Sequence, residues 1–239
     1  MNWYKIVNKS DKAEIWIYEE IGNFWGEGVS AKSFAKDLKA LGKIDNILLH
    51  LNSPGGVVWD GIAIYNLLKQ HQARVNVSIE GLAASIASVV AMAGDEITMA
   101  ENAMMMIHNP WGLTIGNAGD HRQAADMLDK IGDSIILAYV NKQNPNPDEM
   151  DPQKKKMAGL MDAETWMSAQ DAKDLGLVDN ITESIKMAAS YDLSRFKYRH
   201  TPETFKPENM DIRQKLARQN IACQRIKAAS GLSKTGASA

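Results

Sequence analysis

Segments with strand character alternate with helical segments along most of this chain. Residues 13–19 (AEIWIYE) alternate polar and apolar side chains, and residues 47–51 (ILLHL) form a short β-type run. Between them, residues 30–41 place apolar side chains at helical spacing behind a serine that is a candidate N-cap. This order is that of a β-α-β unit. Strands that alternate with helices predict an α/β fold with a mainly parallel sheet covered on both faces.

The same alternation continues beyond the first unit. The sequence 144–147 (NPNP) must end the longest helix, because proline cannot continue one. We predict helices at 59–70, 84–93, 120–142, 150–160 and 165–175, and strands at 74–80, 96–100 and 104–108.

The charge of the chain is unevenly distributed. The net charge is 27 − 29 = −2, yet residues 190–239 hold 10 Lys/Arg and 4 Asp/Glu, a balance of +6. Residues 1–189 hold the remaining 17 and 25, a balance of −8. We therefore predict a body at 1–189 and a basic C-terminal extension at 190–239. A helix at 211–229 is expected in the extension, and its small, polar end at 230–239 is expected to be disordered.

Several function classes have no support in the sequence. Cys223 is the single cysteine, so no intrachain disulfide can form, which suits a reducing compartment such as the cytoplasm. No signal-peptide core and no run of about 18 apolar residues is present, which argues against a membrane protein. The negative net charge argues against general nucleic-acid binding. The five histidines form no metal-binding motif and there is no phosphate-binding loop, so we expect no metal, nucleotide or other cofactor.

The most informative stretch is residues 81–88 (GLAASIAS), where a predicted strand runs into small residues and then an apolar helix. Ser85 falls at the first turn of that helix, where free backbone N–H groups converge. A serine there is suited to act as a nucleophile, because the amide of Ile86 and one from another loop could stabilise negative charge on an attacked carbonyl. The alternative is an ordinary N-cap, and the Gly-x-Ser-x-Gly elbow is missing.

Two further segments supply partners for such a serine. Residues 52–56 (NSPGG) follow a strand, and their glycines either form a simple tight turn or bring a backbone N–H close to a ligand. His108 lies at the exit of a predicted strand in 104–110 (MMMIHNP). It is either a satisfied rim residue or the general base for a serine hydroxyl.

Taken in order, NSPGG, GLAAS and MMIHNP resemble the ClpP peptidase family, the proteolytic subunits of Clp proteases, over residues 15–181. The resemblance implies a ClpP/crotonase-like fold of repeated β-α-β units, with a protruding handle helix within about residues 112–142. It also implies Ser85 as nucleophile, His108 as base, and the amides of Gly56 and Ile86 as the oxyanion hole.

The third member of the catalytic group is where the chain departs from this family. The family places an aspartate two residues before an aromatic residue, and the equivalent count back from Trp166 reaches Glu164. A glutamate can orient an imidazole as an aspartate does. Asp162 stands two residues earlier and is the alternative, and we favour Glu164.

The sequence around Glu164 and an N-terminal IG…WG…VSA pattern in 21–31 are most similar to those of ClpP-related head maturation proteases of tailed phages. This resemblance implies a serine endopeptidase that cleaves capsid or scaffold polypeptides in the bacterial or phage-infected cytoplasm, as a ring-shaped homo-oligomer. ATP-driven unfolding would need a separate unfoldase. The alternatives are a catalytically idle capsid-assembly or scaffold protein on the same fold, and a crotonase-type acyl-CoA enzyme. The apolar side chains of 120–142 either join the core or mediate oligomerisation.

Overall fold

The chain divides into two compact units, Met1–Ile185 and Lys186–Ala239, in the computed structural model. Within the second unit, two short 3-10 helices are described, at Leu193–Phe196 and Glu203–Phe205. The predicted helix at 211–229 and the predicted disordered end lie outside the described residues, and the predicted boundary after residue 189 stays a prediction. The structure describes residues 3–9, 11–22, 30–184, 191, 193–196 and 198–205.

The first unit alternates strands and helices, as the sequence predicts. A short 3-10 helix at Pro147–Glu149 separates its two longest helices. The strands are β1 Tyr4–Lys9, β2 Lys12–Ile17, β3 Asn46–Ser53, β4 Arg74–Ala84, β5 Glu96–Ala100, β6 Met104–Ile107, β7 Thr165–Ser168 and β8 Asn180–Thr182. The helices are α1 Ala31–Ala40, α2 Val58–Lys69, α3 Ile86–Ala91, α4 Ala118–Gln143, α5 Met150–Asp162 and α6 Ala169–Asp174.

The described strands form one eight-stranded sheet. Its main path runs β1-β2-β3-β4-β5-β8, while β6 branches off by pairing with the end of β4 and then with β7. Two pairings are antiparallel, β1 with β2 and β6 with β7, and the others are parallel. The prediction of a mainly parallel α/β fold is confirmed. Strand β1 was not predicted from the sequence.

One face of the sheet forms the core. Alternate side chains of the central strands are fully buried there, such as Ile15, Leu49 and Ile79. Among the described residues, the side chains on the opposite face are half-buried, so the expected covering of both faces is complete on one face and partial on the other. The helices of the first unit therefore leave one face of its sheet partly open.

A polar cluster occupies the half-buried face. The ring of Trp16 stacks on His50 at 5.0 Å, and His50 Nδ1 lies 2.7 Å from Glu80 Oε1. The Tyr18 hydroxyl donates to the other carboxylate oxygen of Glu80. Burial raises the pKa of Glu80, but the hydrogen bonds from His50 and Tyr18 outweigh it and leave the pKa below its ordinary value.

Two predicted helices begin later than the sequence suggests. The predicted helix at 84–93 is shorter, because β4 continues to Ala84 and α3 covers only Ile86–Ala91. The predicted helix at 165–175 is wrong in its first part, where β7 pairs with β6. Helix α6 starts only after Ser168, whose side chain accepts from the Asp171 N–H while Asp171 accepts from the Ser168 N–H.

Helix α4 has two different halves. From Ala118 to Lys130 none of its described residues is buried, whereas Ile131, Ile135 and Tyr139 pack into the core. The apolar stripe predicted from the sequence is thus shared between core packing in the second half and exposed side chains such as Met127 in the first. Among the described residues, no helix combines the length and apolar character needed to cross a membrane.

Candidate active site

Ser85 lies where the ends of two parallel strands meet. Ala84 at the end of β4 pairs with Met106 of β6, and the Ser85 N–H donates to the Met106 carbonyl at 2.9 Å. The backbone of Ser85 has φ 55° and ψ −130°, a conformation that L-residues rarely adopt. Such strain persists only where the surroundings impose it, and it often marks a functional position. Here it turns the side chain out of the strand direction between β4 and α3.

The predicted nucleophile and base are in contact. Ser85 Oγ lies 2.8 Å from His108 Nε2, which is hydrogen-bond distance. His108 follows directly after β6, so the pairing of β4 with β6 brings the two residues to the same sheet edge. With Nε2 accepting from the hydroxyl, Nδ1 carries the other proton and needs an acceptor on the opposite side of the ring.

The pairing of β6 with β7 brings a carboxylate residue to the sheet edge where His108 lies. Strands β6 and β7 are antiparallel, and their last pair is Ile107 with Thr165. Glu164 directly precedes Thr165 and His108 directly follows Ile107, so the two residues flank the last pair of this ladder. Paired residues of such a ladder have Cα atoms about 4.5 to 5.5 Å apart, so the last pair brings the residues on either side of it to the same edge of the sheet.

The two carboxylates weighed from the sequence have different surroundings. Glu164 is 6% exposed, has φ 51°, and accepts a hydrogen bond at 3.4 Å from Trp166 Nε1. Asp162 ends helix α5, is exposed, and accepts a hydrogen bond at 2.7 Å from the side chain of Asn109. Of the pair, Glu164 is the carboxylate that the fold buries beside the strand end carrying His108.

The NSPGG loop is held by hydrogen bonds on both sides. Ser53 is buried, its hydroxyl donates to the Glu19 carbonyl at 2.7 Å, and it accepts from the Gly55 N–H at 3.2 Å. The Ile21 N–H donates to the Gly55 carbonyl at 2.7 Å, and the Ile21 carbonyl accepts from Val57 at 2.8 Å. The loop is therefore fixed against the segment that follows β2.

Both glycines of the loop are required by close approaches of the backbone. Gly55 has φ +97°, and an added Cβ would lie 2.7 Å from Ser85 Cβ and 3.3 Å from Ile86 N. Gly56 has φ +148°, and an added Cβ would lie 2.1 Å from the Ile21 carbonyl oxygen. Only glycine fits these positions. The loop therefore packs directly on the nucleophile.

The backbone around Ser85 leaves one N–H suited to an oxyanion. The N–H of Ser85 is committed to Met106. Ile86 is the first residue of α3, so its N–H has no partner within that helix. The structure thus brings Gly56 and Ile86, the two predicted donors, to the same sheet edge as Ser85 and His108.

Some residues of this arrangement were missed in the sequence. The NSPGG loop was recognised, but the hydrogen bonds of Ile21 with Gly55 and Val57 that hold it had no signal in the sequence. Ser88 was missed as well: it is fully buried and its hydroxyl donates to the Ser85 carbonyl at 2.5 Å. No group of metal ligands occurs in the part of the chain that the structure describes.

Comparison with known proteins identifies the family of this chain. The family model described as Clp protease matches residues 1–185. The chain is 32% identical over 149 residues to the ATP-dependent Clp protease proteolytic subunit 1 of Salinibacter ruber, a match that covers 60% of this chain and 60% of that protein. A solved structure of a ClpP1 point mutant from Listeria monocytogenes superposes with a TM-score of 0.58 at 24% identity, covering 71% of this chain and 90% of the other. That structural likeness shows a shared fold.

Proposed function

The chain belongs to the Clp protease family, and from this we propose that it is a serine endopeptidase that cleaves peptide bonds through an acyl-enzyme on Ser85. The observation that carries the proposal is the 2.8 Å contact between Ser85 Oγ and His108 Nε2. A serine hydroxyl is a weak nucleophile by itself, and a neutral imidazole at this distance can take its proton as attack begins.

In the first step, Ser85 Oγ forms a bond to the carbonyl carbon of the scissile peptide while its proton passes to His108 Nε2. The carbonyl oxygen becomes an oxyanion. We assign its stabilisation to the N–H groups of Ile86 and Gly56, and each such donor is worth about 3 to 4 kcal/mol in related chemistry. The rigid glycine loop supports this assignment, because preorganised donors need no rearrangement during the reaction.

The tetrahedral intermediate then collapses. The C–N bond breaks as the imidazolium of His108 gives its proton to the leaving amine, which leaves the acyl group on Ser85. A water molecule, deprotonated by His108, attacks the acyl-enzyme, and the same sequence in reverse releases the carboxylic acid and restores the serine. Glu164 is the proposed orienting acid, which accepts from Nδ1 and stabilises the positive ring. Its burial and its position directly before Thr165, which pairs with Ile107, support it over Asp162.

For the biological role, we propose a head maturation protease of a phage or prophage that cleaves capsid or scaffold polypeptides. The support is the resemblance of residues 21–31 and 164–166 to such proteins. A ring-shaped homo-oligomer is proposed with it, and native mass spectrometry would measure its size. The Salinibacter ruber relative is named as ATP-dependent. A separate ATP-dependent unfoldase is the corresponding partner proposed here, with residues 190–239 as a basic extension beyond the protease domain.

Labelling by a serine-reactive fluorophosphonate, with mass-spectrometric mapping of the modified residue, tests the proposed activity. The wild-type protein should be labelled at Ser85 and should cleave fluorescein-labelled casein. Ser85→Ala should abolish both, and His108→Ala should slow labelling at least about 100-fold. The matched control is Ser33→Ala, which removes a hydroxyl on α1, and it should behave as wild type. Labelling at another residue would reject the mechanism, and a folded wild-type protein without labelling or cleavage would indicate an idle site.

A further inference from the structure

A buried pair of hydroxyl groups lies directly behind the proposed nucleophile. Ser88 of α3 and Tyr139 of α4 are 0% and 1% exposed, and their hydroxyl oxygens are 2.7 Å apart. The Ser88 hydroxyl is also 2.5 Å from the carbonyl oxygen of Ser85. The two helices thus meet through a short hydrogen-bonded chain that ends on the backbone of Ser85.

The direction of this chain follows from counting protons. A carbonyl oxygen can only accept, so the single hydroxyl proton of Ser88 points to Ser85. Tyr139 must then donate its own proton to Ser88 Oγ. Burial raises the pKa of the Tyr139 hydroxyl, so it remains a protonated donor throughout the pH range of an assay.

The carbonyl that receives this chain belongs to a rigid peptide unit. The Ser85 carbonyl and the Ile86 N–H share one planar trans peptide and point in opposite directions. Any rotation of the carbonyl therefore turns the Ile86 N–H, the proposed oxyanion donor. Ser85 holds the strained combination of φ 55° and ψ −130°, so the unit needs restraint to stay in place.

We propose that Ser88 and Tyr139 are positioning residues that hold the Ser85–Ile86 peptide unit so that the Ile86 N–H faces the oxyanion. The inference rests on the proposed serine peptidase function. The Ser88 N–H also donates to the Ser85 carbonyl at 2.9 Å, which fixes the carbonyl in one direction. The hydroxyl adds a second donor from the side chain, and Tyr139 fixes that side chain's rotamer through the 2.7 Å contact. Two donors on one oxygen restrain its rotation more tightly than one.

The expected effect is a loss of transition-state stabilisation with little change in substrate binding. Removal of a whole oxyanion donor lowers kcat by about 100 to 1000-fold, so a loosened donor should lower it by about tenfold. Ser88→Ala should show this loss. Tyr139→Phe keeps the ring in the core and removes only the hydroxyl that contacts Ser88. It should lower kcat by about threefold to tenfold, because the Ser88 side chain is then held less firmly. KM should stay within about twofold for both variants, because the interactions that bind the substrate equally in the ground state and in the transition state are unchanged.

The experiment uses the full chain and counts working sites by fluorophosphonate titration. For Ser88→Ala, Tyr139→Phe and the double variant, kcat and KM are measured on a fluorogenic peptide built on a casein cleavage site. A peptide aldehyde, whose carbonyl carbon bonds to Ser85 Oγ and whose oxygen takes the oxyanion position, is measured as an inhibitor. Its Ki should weaken in proportion to kcat/KM. Tyr65→Phe, which removes a half-buried phenol hydroxyl on α2, is the matched control and should leave all values unchanged.

The outcomes separate this inference from the proposed function. If kcat per titrated site and the aldehyde Ki are unchanged in both variants, the pair has only a structural role and the inference is overturned, whatever happens to the melting temperature. If Tyr139→Phe lowers kcat further in the Ser88→Ala background, Tyr139 does not act through Ser88, which also overturns it. A wild-type protein that is not labelled at Ser85 would refute the proposed function and this inference with it.

Discussion

The choice between Glu164 and Asp162 can be tested by changing each carboxylate to its amide. Glu164→Gln and Asp162→Asn remove one negative charge each and keep the side chain's size. The two residues stand close in the sequence but differ in environment, since Glu164 is 6% exposed and Asp162 is exposed beside Asn109. Of the two, Glu164 directly precedes β7, next to the last β6–β7 pair, Ile107 with Thr165.

The expected magnitudes follow from these environments. A carboxylate that orients the catalytic imidazole is worth up to about 10000-fold in kcat when its charge alone is removed. Because Glu164 is buried, water screens its charge only weakly, and we expect Glu164→Gln to lower kcat by about 100 to 10000-fold. That range corresponds to about 3 to 5 kcal/mol of the barrier. Asp162→Asn weakens one exposed hydrogen bond, worth about 0.5 to 1 kcal/mol, so kcat should fall by at most about fivefold.

The assay is casein turnover per milligram of folded protein, with circular dichroism and thermal unfolding to confirm that each variant keeps the wild-type fold. Glu164→Asp is the conservative control, because it keeps the charge and shortens the side chain. It should recover part of the activity lost in Glu164→Gln. Equal small losses in both amide variants, or a larger loss in Asp162→Asn, would refute the reasoning from burial and register.

Three further outcomes are expected from the structure. Gly55→Ala should lower the rate of fluorophosphonate labelling at least about tenfold, because the new Cβ would lie 2.7 Å from Ser85 Cβ. The control is Gly42→Ala, where φ is +68° but the space around the glycine is open. It should lower the free energy of unfolding by only about 1 to 2 kcal/mol, measured by thermal unfolding. Gly61→Ala should lower kcat, because its Cβ would lie 2.1 Å from Ile86 Cγ1 and displace the start of α3; unchanged kcat would show that the site tolerates this shift. The pKa of Glu80 lies below its ordinary value of 4.5 in the folded protein. The ionised carboxylate therefore contributes its full stabilisation above pH 4.5 and loses it as the pH falls through the lowered pKa. Below pH 4.5, the melting temperature should drop less steeply in Glu80→Gln than in the wild type.

The parts of the fold that the sequence predicts are those with local signals. The segment at 47–51 alternates in burial, and the helices between strands carry apolar side chains at helical spacing, so these elements were recognisable. Strand β7 (TWMS) has only four residues and no periodicity of its own. It exists because it pairs with β6, a partner far away in the chain. Pairing of this kind cannot be read from a local pattern, which is why the segment was predicted as helix.

The parts of the site also differ in whether a local sequence signal marks them. Ser85 and His108 were found because each lies in a short motif at the end of a strand. Their contact required the β4–β6 pairing, which supplies the 2.8 Å geometry. The chain between Ser88 and Tyr139 involves residues 51 positions apart, and a buried serine in an apolar helix carries no signal of its own. Such contacts depend on tertiary packing and were outside the reach of the sequence.

The identity of the proposed acid depends on one feature of the sheet. Strands β4 and β6 are parallel, so their carboxyl ends meet at one edge, and β7 is antiparallel to β6, so its amino end reaches that same edge. The residues just before β7 are therefore brought to the edge at which His108 lies. A slip of one residue in the β6–β7 register would displace Glu164 relative to His108 and turn every β7 side chain to the other face. Met105 and Met167 form a register pair and are at most 1% exposed, so the slip would expose apolar surface, and the core thereby holds Glu164 in place.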